Sequence, residues 1–538
     1  MPLSLWADGV WGTTNVRYAF QSKQPVVGEK SLTLTAWAGE TVNAQLVLHN
    51  VTSQEVLYRT VLQRLKGKGK EQITPKDIAL GYVDEVIADT FSNCGKHEVE
   101  RYGRFMQADR ITAQNAFVVP QGQQRGVWLS IAVPRTQRPG RYKGQVIILR
   151  NEKIVERLSL TLHVQPRLLP EASKWQFHLD FWQNPYAIAR WHQLQPWTYA
   201  HFEAMRPYMK MLANGGQKVV TATLINRPWD GQTYDAFGSM VQWVKRADGT
   251  WHYDFSIFDR WVQFMDECGI RDEITCFSMI PWRLSFQYYD EASQSFQEWK
   301  GAPGDSIYTE RWGHFLSAFA AHLKEKGWFS KTTIAMDERP MPAMRHAIAI
   351  IHQAAPGLKI SMAGYYHPEI EADLFDYCID EQSPEQPTPA VLERRKREGK
   401  TTTYYTCCSS RLPNTFTFSP PAEATAIPWY ALQKGMDGYL RWAYNSWPAD
   451  PERDSRFTAW SSGDTYIVYP KANPSVRWAK LIEGIQQVEK FRLLLAEAKQ
   501  MGNVERIATL ENLLKRIDVT QPETTTMVQV ELNALSAK

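Results

Sequence analysis

At 538 residues the chain is too long for one ordinary hydrophobic core, so two or three domains are expected, one of them large enough to be a barrel. A composition of 43% hydrophobic and 22% charged residues is that of an ordinary globular protein, and no stretch approaches the roughly 18 apolar residues of a membrane span. The 61 Lys and Arg nearly balance the 57 Asp and Glu, for a net charge of +4. With no basic stripe beyond Arg394-Arg-Lys-Arg397, which reads as the polar face of a helix, there is no electrostatic footprint for nucleic acid.

The first residues, Met-Pro-Leu-Ser-Leu-Trp, lack the basic start and apolar segment of a secretory leader. From there to about residue 165 the pattern has period two, in Leu32-Thr-Leu-Thr-Ala36, Ala44-Gln-Leu-Val-Leu48, Val127-Trp-Leu-Ser-Ile-Ala-Val133, Val146-Ile-Ile-Leu149 and Leu158-Ser-Leu-Thr-Leu162. Short alternating strands separated by turn signals such as Arg138-Pro-Gly-Arg-Tyr-Lys-Gly144 predict an antiparallel β-sandwich over residues 1–168. Gln165-Pro-Arg-Leu-Leu-Pro170 then reads as a stiff, proline-bounded link.

After residue 170 strands and helices alternate. Strands are predicted at 175–182, 218–225, 273–280, 332–336, 358–363, 376–379, 401–407 and 438–444. The first long helix carries Tyr199, Phe202, Met205, Met209 and Leu212 on one face, with a kink implied by Pro207. Later ones carry Phe258, Trp261, Phe264 and Met265, then Trp312, Phe315, Phe319 and Leu323. A hairpin at Asp248-Gly249 is inserted after the second strand, and a long aromatic loop follows the third. Helices near 342–355, 388–398 and 422–434 fill the remaining gaps, and one over 476–497, with Trp478, Leu481, Ile485, Val488 and Phe491 inward, completes the set. Eight such units predict an α/β fold, a (β/α)8 TIM barrel over 169–500, leaving a helix near 503–517 and a threonine-rich tail as 501–538.

Six cysteines, at 94, 268, 276, 378, 407 and 408, make no metal-type pairs. Cys407-Cys408 is adjacent, poor geometry for a mutual disulfide or a shared zinc, so the cysteines read as small buried residues. No metal and no cofactor are expected.

One stretch organises the barrel. The apolar run Ile334-Ala-Met336 stops at Asp337 and Glu338, and Pro340 and Pro342 forbid the strand's continuation while suiting the first turn of a helix. Five other Asp-Glu pairs occur. The pair at 266 closes a helix, that at 272 sits in a turn entering a strand, and those at 84 and 290 fall in polar connections. Only Asp380-Glu381 also ends a strand. Barrels carry their chemistry at the carboxyl ends of their strands, and there the chain offers Asp180, Trp182 and Asn184; Asn226, Arg227 and Trp229; Trp282 and Arg283; Tyr365, Tyr366 and His367; Tyr404 and Tyr405; and Trp442, Asn445 and Trp447. No Gly-x-Ser-x-Gly elbow, His-Glu-x-x-His or glycine-rich phosphate cradle accompanies them. A lining of acids, aromatics and amides suits glycoside cleavage, and the 21 tryptophans suit either stacking on sugar faces or large cores.

Sugar hydrolysis ordinarily uses two carboxyl groups about 5–10 Å apart across the scissile bond. Chain neighbours cannot easily bracket a ring, so Asp337 and Glu338 suit substrate assistance, in which a 2-acetamido group is the nucleophile. One acid would orient and stabilise an oxazolinium-like intermediate and the other would protonate the leaving oxygen and then activate water. Like charges so close are expected to raise one pKa.

Ile334-Ala-Met-Asp-Glu338, the preceding sandwich, the run Gly435-Met-Asp-Gly-Tyr-Leu-Arg-Trp-Ala-Tyr-Asn-Ser-Trp447, and then Gly463-Asp464, Tyr469-Pro470 and Ser475-Val-Arg477 together resemble glycoside hydrolase family 123. The resemblance implies a β-N-acetylgalactosaminidase working by substrate assistance, with Asp337 orienting the acetamido group and Glu338 as general acid/base. It implies Trp442 and Trp447 as pocket walls, and a periplasmic or extracellular location. Trp182, Arg227, Trp282, Tyr365, His367, Tyr404 and Asn445 complete the expected substrate-binding set, and the expected partner is a glycan or glycoconjugate. Two alternatives stand: a conventional retaining glycosidase with Glu338 as acid/base and Asp380 or Glu381 as nucleophile, and a non-catalytic carbohydrate-binding protein on the same barrel.

Overall fold

The computed structural model describes residues 7–21, 26–95, 103–457 and 459–537, so the opening six residues read above for a leader lie outside the described residues. The chain divides into two compact units. One comprises Met1–Trp175, Arg411–Gln433 and Asp450–Lys538, the other Gln176–Ser410 and Lys434–Ala449.

The first unit contains the sandwich. One sheet runs in the order Gly9–Gly12, Thr41–His49, Gln124–Ala132, Ile78–Ala88, Phe105–Thr112. The other runs Ser31–Ala38, Lys153–Leu168, Gly140–Arg150, Val56–Leu62, Ala116–Val119. Alternation does the sorting: Leu158, Leu160 and Leu162 join Leu46, Leu48, Val127 and Leu129 in one core, as side chains at period two share a face. All pairings among these strands are antiparallel except that of Ser31–Ala38 with Lys153–Leu168, which is parallel.

Two expectations are corrected here. Pro166 and Leu168 lie inside the last sandwich strand rather than in a link. The parallel ladder shifts register between Val164 and Leu168, and at such an irregularity the missing proline N–H forfeits no bond. Asp84-Glu85 lies within Ile78–Ala88 and not in a polar connection; the register shifts at that pair, which lets a strand carry two consecutive acids.

The same unit holds the helices Pro421–Gln433 and Val476–Gln500, the ones expected seventh and eighth in the barrel pattern. They lie so close that a Cβ on Gly484 would come within 2.4 Å of the Thr425 carbonyl oxygen. Ser475 caps the longer helix, accepting the Trp478 N–H at 3.0 Å, and buried Arg477 pairs with buried Asp109 at 2.9 Å. The Ser475-Val-Arg477 motif is therefore structural. The threonine-rich tail is helical over Thr524–Ser536, because Thr525, Val528 and Leu532 fall on one buried face.

The second unit is a barrel of eight parallel strands. In chain order they are His178–Phe181, Val219–Thr223, Glu273–Phe277, Thr332–Met336, Lys359–Gly364, Asp376–Asp380, Thr401–Tyr405 and Gly438–Arg441, and the sheet runs from the first through the eighth down to the second. Between strands one and two the ladder shrinks to a single bridge, Leu179 to Gln217. Two buried amide side chains span the rest. Gln217 accepts the Phe181 N–H at 2.8 Å and donates to Val219 O at 2.7 Å; Gln183 accepts the Thr221 N–H at 2.9 Å. The aromatic loop after strand three is a hairpin, Ser285–Asp290 with Ser295–Lys300, sharing a small sheet with the predicted hairpin Gln242–Lys245 and Trp251–Asp254, so the acids at 290 end a strand.

Strand parity decides what fills the barrel. Thr275, Thr333 and Ser361 meet across three strands, the Thr333 hydroxyl lying 3.2 Å from Thr275 and 3.0 Å from Ser361, while Ile274, Ile334 and Ile360 are buried on the opposite face. The interior is thus hydroxylic and acidic below and aromatic only at the top. Because the Gln217 amide replaces missing backbone pairing, Gln217→Leu is expected to cost about 1–3 kcal/mol by stranding the Phe181 N–H, read as a lowered midpoint in thermal or urea unfolding.

Candidate active site

The upper interior of the barrel is an aromatic cluster of Trp182, Trp229, Phe237, Phe277, Ala335, Cys378, Tyr405 and Leu440, with Tyr186, Ala363 and Trp442 packed on it. Trp182 stacks on Trp229 at 5.0 Å, and Phe277 lies 4.5 Å from Trp182. Asp337 follows strand four on the interior parity of Thr333 and Ala335, which delivers its carboxyl to this cluster. Its Oδ2 accepts the Trp229 Nε1–H at 2.5 Å. Its Oδ1 is out of reach of solvent and has no partner among the described residues, although the residue as a whole is only half-buried. Burial is the leading cause that pushes the carboxyl up to about 6. The charge of Arg339 and the indole hydrogen bond oppose that rise, and the Glu338 charge is the smallest contributor to it. The expected pKa elevation is found, but it arises from desolvation more than from like charge.

Glu338, one residue on, takes the other parity and is exposed at the rim. The Tyr405 hydroxyl donates to its Oε1. Gly364, ending strand five, makes room beside it: a Cβ there would come within 3.3 Å of Glu338 Cγ. Arg339 closes the turn, its Nε donating to Ile280 O at 2.8 Å and its guanidinium standing 5.5 Å over the Trp282 ring. Asp380 is buried, and its Oδ1 accepts the Gln382 N–H at 2.8 Å. Two adjacent acids therefore occupy different media, one dry and one wet.

Of the other predicted residues, Trp182 and Trp442 lie at the mouth, and Trp282 and Tyr365 are exposed at its rim, at 50% and 47%. Arg227 sits in a left-handed turn, φ 56°, with its exposed guanidinium 3.4 Å from Asp230. His367 is half-buried, and its backbone N–H donates to Tyr377 at 2.7 Å. Three predictions are corrected. Tyr404 faces away from the interior, its ring 5.1 Å from Tyr439; Tyr405 is the tyrosine at the mouth, because neighbours on a strand point oppositely. Trp447 is fully buried against Trp191 and Tyr208, so it walls no pocket. Asn445 is buried and spends both ends of its amide on the Asn184 backbone, at 2.9 and 2.8 Å, where it ties the loop after strand eight to the loop after strand one. Two residues outside the expected binding set, Trp229 and Tyr405, line the mouth and bond the two acids. Parity counted from Thr403 would have found Tyr405, whereas Trp229 lies in a loop that no periodicity reads.

An aromatic mouth with two acids at the end of strand four has the chemistry that glycoside cleavage needs, and comparison with known families places the chain among glycoside hydrolases. The model of the glycoside hydrolase 123 catalytic domain matches residues 182–494, and that of the glycoside hydrolase 123 N-terminal domain matches 11–150. The solved structure of a family 123 glycoside hydrolase from Clostridium perfringens, described for glycolipid glycan hydrolysis, aligns with TM-score 0.87 at 26% identity. It covers 98% of this chain and 96% of that one. A GH5 xyloglucanase from Bacteroides ovatus aligns over 85% of this chain and 98% of its own at 8% identity, with a TM-score of 0.32, too low to bear on the fold. Comparison with curated proteins returns no match. The chain belongs to glycoside hydrolase family 123.

Since the Tyr405 hydroxyl fixes the Glu338 carboxyl, Tyr405→Phe is expected to lower kcat by about ten- to a hundredfold with the melting temperature little changed. Wild-type kcat in steady-state assays would remove Tyr405 from the site.

Proposed function

We propose that this glycoside hydrolase releases β-linked N-acetylgalactosamine from glycans with retention of configuration, the substrate's own acetamido oxygen acting as nucleophile and an oxazolinium ion forming as intermediate. The observation that carries the reading is Asp337 Oδ1, a buried carboxylate oxygen with no donor beside an oxygen fixed by Trp229. Such an atom is costly unless a hydrogen bond reaches it, and the N–H of a 2-acetamido group is a donor of the right kind. As the acetamido oxygen closes on the anomeric carbon, that N–H becomes cationic. A desolvated carboxylate against it stabilises the developing charge more than water would.

Glu338 has the complementary setting. Exposed at the rim and held by Tyr405, it can give a proton to the departing glycosidic oxygen and afterwards take one from the water that opens the oxazolinium. Asp380 is a poorer candidate for a covalent nucleophile, being buried with Oδ1 already engaged by Gln382. The sugar's galacto configuration rests on the family resemblance. The glycolipid glycans named for the Clostridium structure are the first natural substrates to try.

Kinetic measurements test the reading. Glu338→Gln and Asp337→Asn are each expected to lower kcat at least about a hundredfold, with a thiazoline analogue of the cyclised intermediate inhibiting the wild type strongly. An aryl β-galactoside cleaved as fast as its 2-acetamido counterpart would sink the mechanism and favour a protein nucleophile. Only the ionised Asp337 sets a negative charge against the developing cation, so kcat/KM is expected to rise with pH through about 6. Trp229→Phe removes a hydrogen bond that lowers this pKa and should move the acid limb to higher pH.

A further inference from the structure

The base of the barrel gathers three side chains that the proposed chemistry does not use. His178, Glu273 and Asp376 are the first residues of strands one, three and six. One imidazole nitrogen and one carboxylate oxygen from each acid lie within 4.8 Å of one another. Glu273 and Asp376 are each only 5% exposed, and within the group His178 Nε2 and Asp376 Oδ1 are buried without a partner among the described residues. Buried polar atoms are nearly always bonded, so two unsatisfied acceptor-capable atoms within one three-residue cluster call for a partner.

The charges of Lys359 and Arg395 act on Glu273 and Asp376, but the direct contacts of the neighbouring cations lie with other groups. Arg395 pairs with Glu371 at 2.9 Å, Lys218 Nζ lies 3.4 Å from Asp272, and Lys359 Nζ sits 3.5 Å over the Phe375 ring. Glu273 receives hydrogen bonds from the hydroxyls of Thr275, at a long 3.4 Å, and Thr333. The buried carboxyl of Asp180 is close enough to feel the charge of Asp376 and to act on Glu273. A small divalent cation would serve all of these atoms at once.

We propose that His178, Glu273 and Asp376 bind one divalent transition-metal ion, Zn2+ or Mn2+, as a structural ligand at the base of the barrel. One imidazole with two carboxylates is a donor set of the borderline first-row ions, whereas Ca2+ seeks six to eight oxygens, more than this group provides. Small rotamer changes bring atoms already within 4.8 Å to the about 3.3 Å spacing that bonds of about 2.0–2.1 Å to one ion require. The ion stands at the opposite end of the strands from Asp337, about 15 Å away for a five-residue strand. It holds together three strands that are not neighbours in the sheet and takes no part in turnover.

The test uses the full chain, stripped with chelator, dialysed, and titrated calorimetrically with ZnCl2 and separately with MnCl2. One equivalent should bind and the melting temperature should rise. Asp376→Asn and His178→Gln should each weaken binding at least about a hundredfold. Co2+ added to the wild-type chain gives a reading independent of whether the variants fold: visible d–d bands with no near-ultraviolet thiolate charge-transfer band. The proposal is overturned by no binding to the stripped wild type, by affinity retained in both variants, or by a thiolate band that places the ion on cysteine. Turnover of a 2-acetamido glycoside should be equal in stripped and reloaded protein below the melting range, and a tenfold difference would also overturn a structural role.

Discussion

A carboxylate kept away from water is the constraint on which the site depends. Asp337 is an acid in an aromatic enclosure, satisfied on one oxygen by the Trp229 indole and left without a donor on the other. A group so placed raises the free energy of the folded state whenever it is ionised, and its elevated pKa expresses that cost. Arg339 limits the cost through its charge without forming an ion pair with the acid. The rings that make the enclosure, Trp182, Trp229 and Phe277, come from loops or ends of three different strands. The dryness of Asp337 is therefore a property of the barrel's closure and not of its own strand.

Adjacent residues acquire opposite characters because a strand alternates. Thr333, Ala335 and Asp337 share the interior face, while Glu338 starts the turn and reaches outward beside Gly364. Conventional glycosidases separate their two acids by spacing. Between Asp337 and Glu338 the separation is by medium, one acid dry and the other wet, which is the arrangement that the proposed substrate-assisted reaction calls for. Tyr405 extends the same logic, since its parity puts a hydroxyl on Glu338 while Tyr404 is spent on packing.

Below the aromatic layer the barrel departs from an oily core. Hydroxyls of Thr275, Thr333 and Ser361 bond in a row, and beneath them lie His178, Glu273 and Asp376. A polar interior demands that every group be satisfied, which the row of hydroxyls achieves and the basal group achieves only with a further partner. The amides of Gln183 and Gln217 show the same economy at the seam between strands one and two, where side chains complete what the backbone ladder leaves open.

Much of this was legible in the residues alone. Period-two runs specified the sandwich, the alternation of strand and helix specified the barrel, and Pro340 after Asp337-Glu338 placed both acids at a strand's end, because these are local consequences of backbone geometry. Residues whose role depends on distant partners were not legible. Trp447 reads as a pocket wall until Trp191 and Tyr208 enclose it, Asn445 as a ligand to sugar until the Asn184 backbone claims both ends of its amide, and Pro166 as a link until a register shift absorbs it. The basal trio is further still from view, spread over about two hundred residues and adjacent only because eight strands close on one axis. Sequence determined which atoms were present and which way each strand alternated; tertiary structure decided which were dry, which were paired and which were left wanting a partner, because solvation and pairing belong to the space between segments.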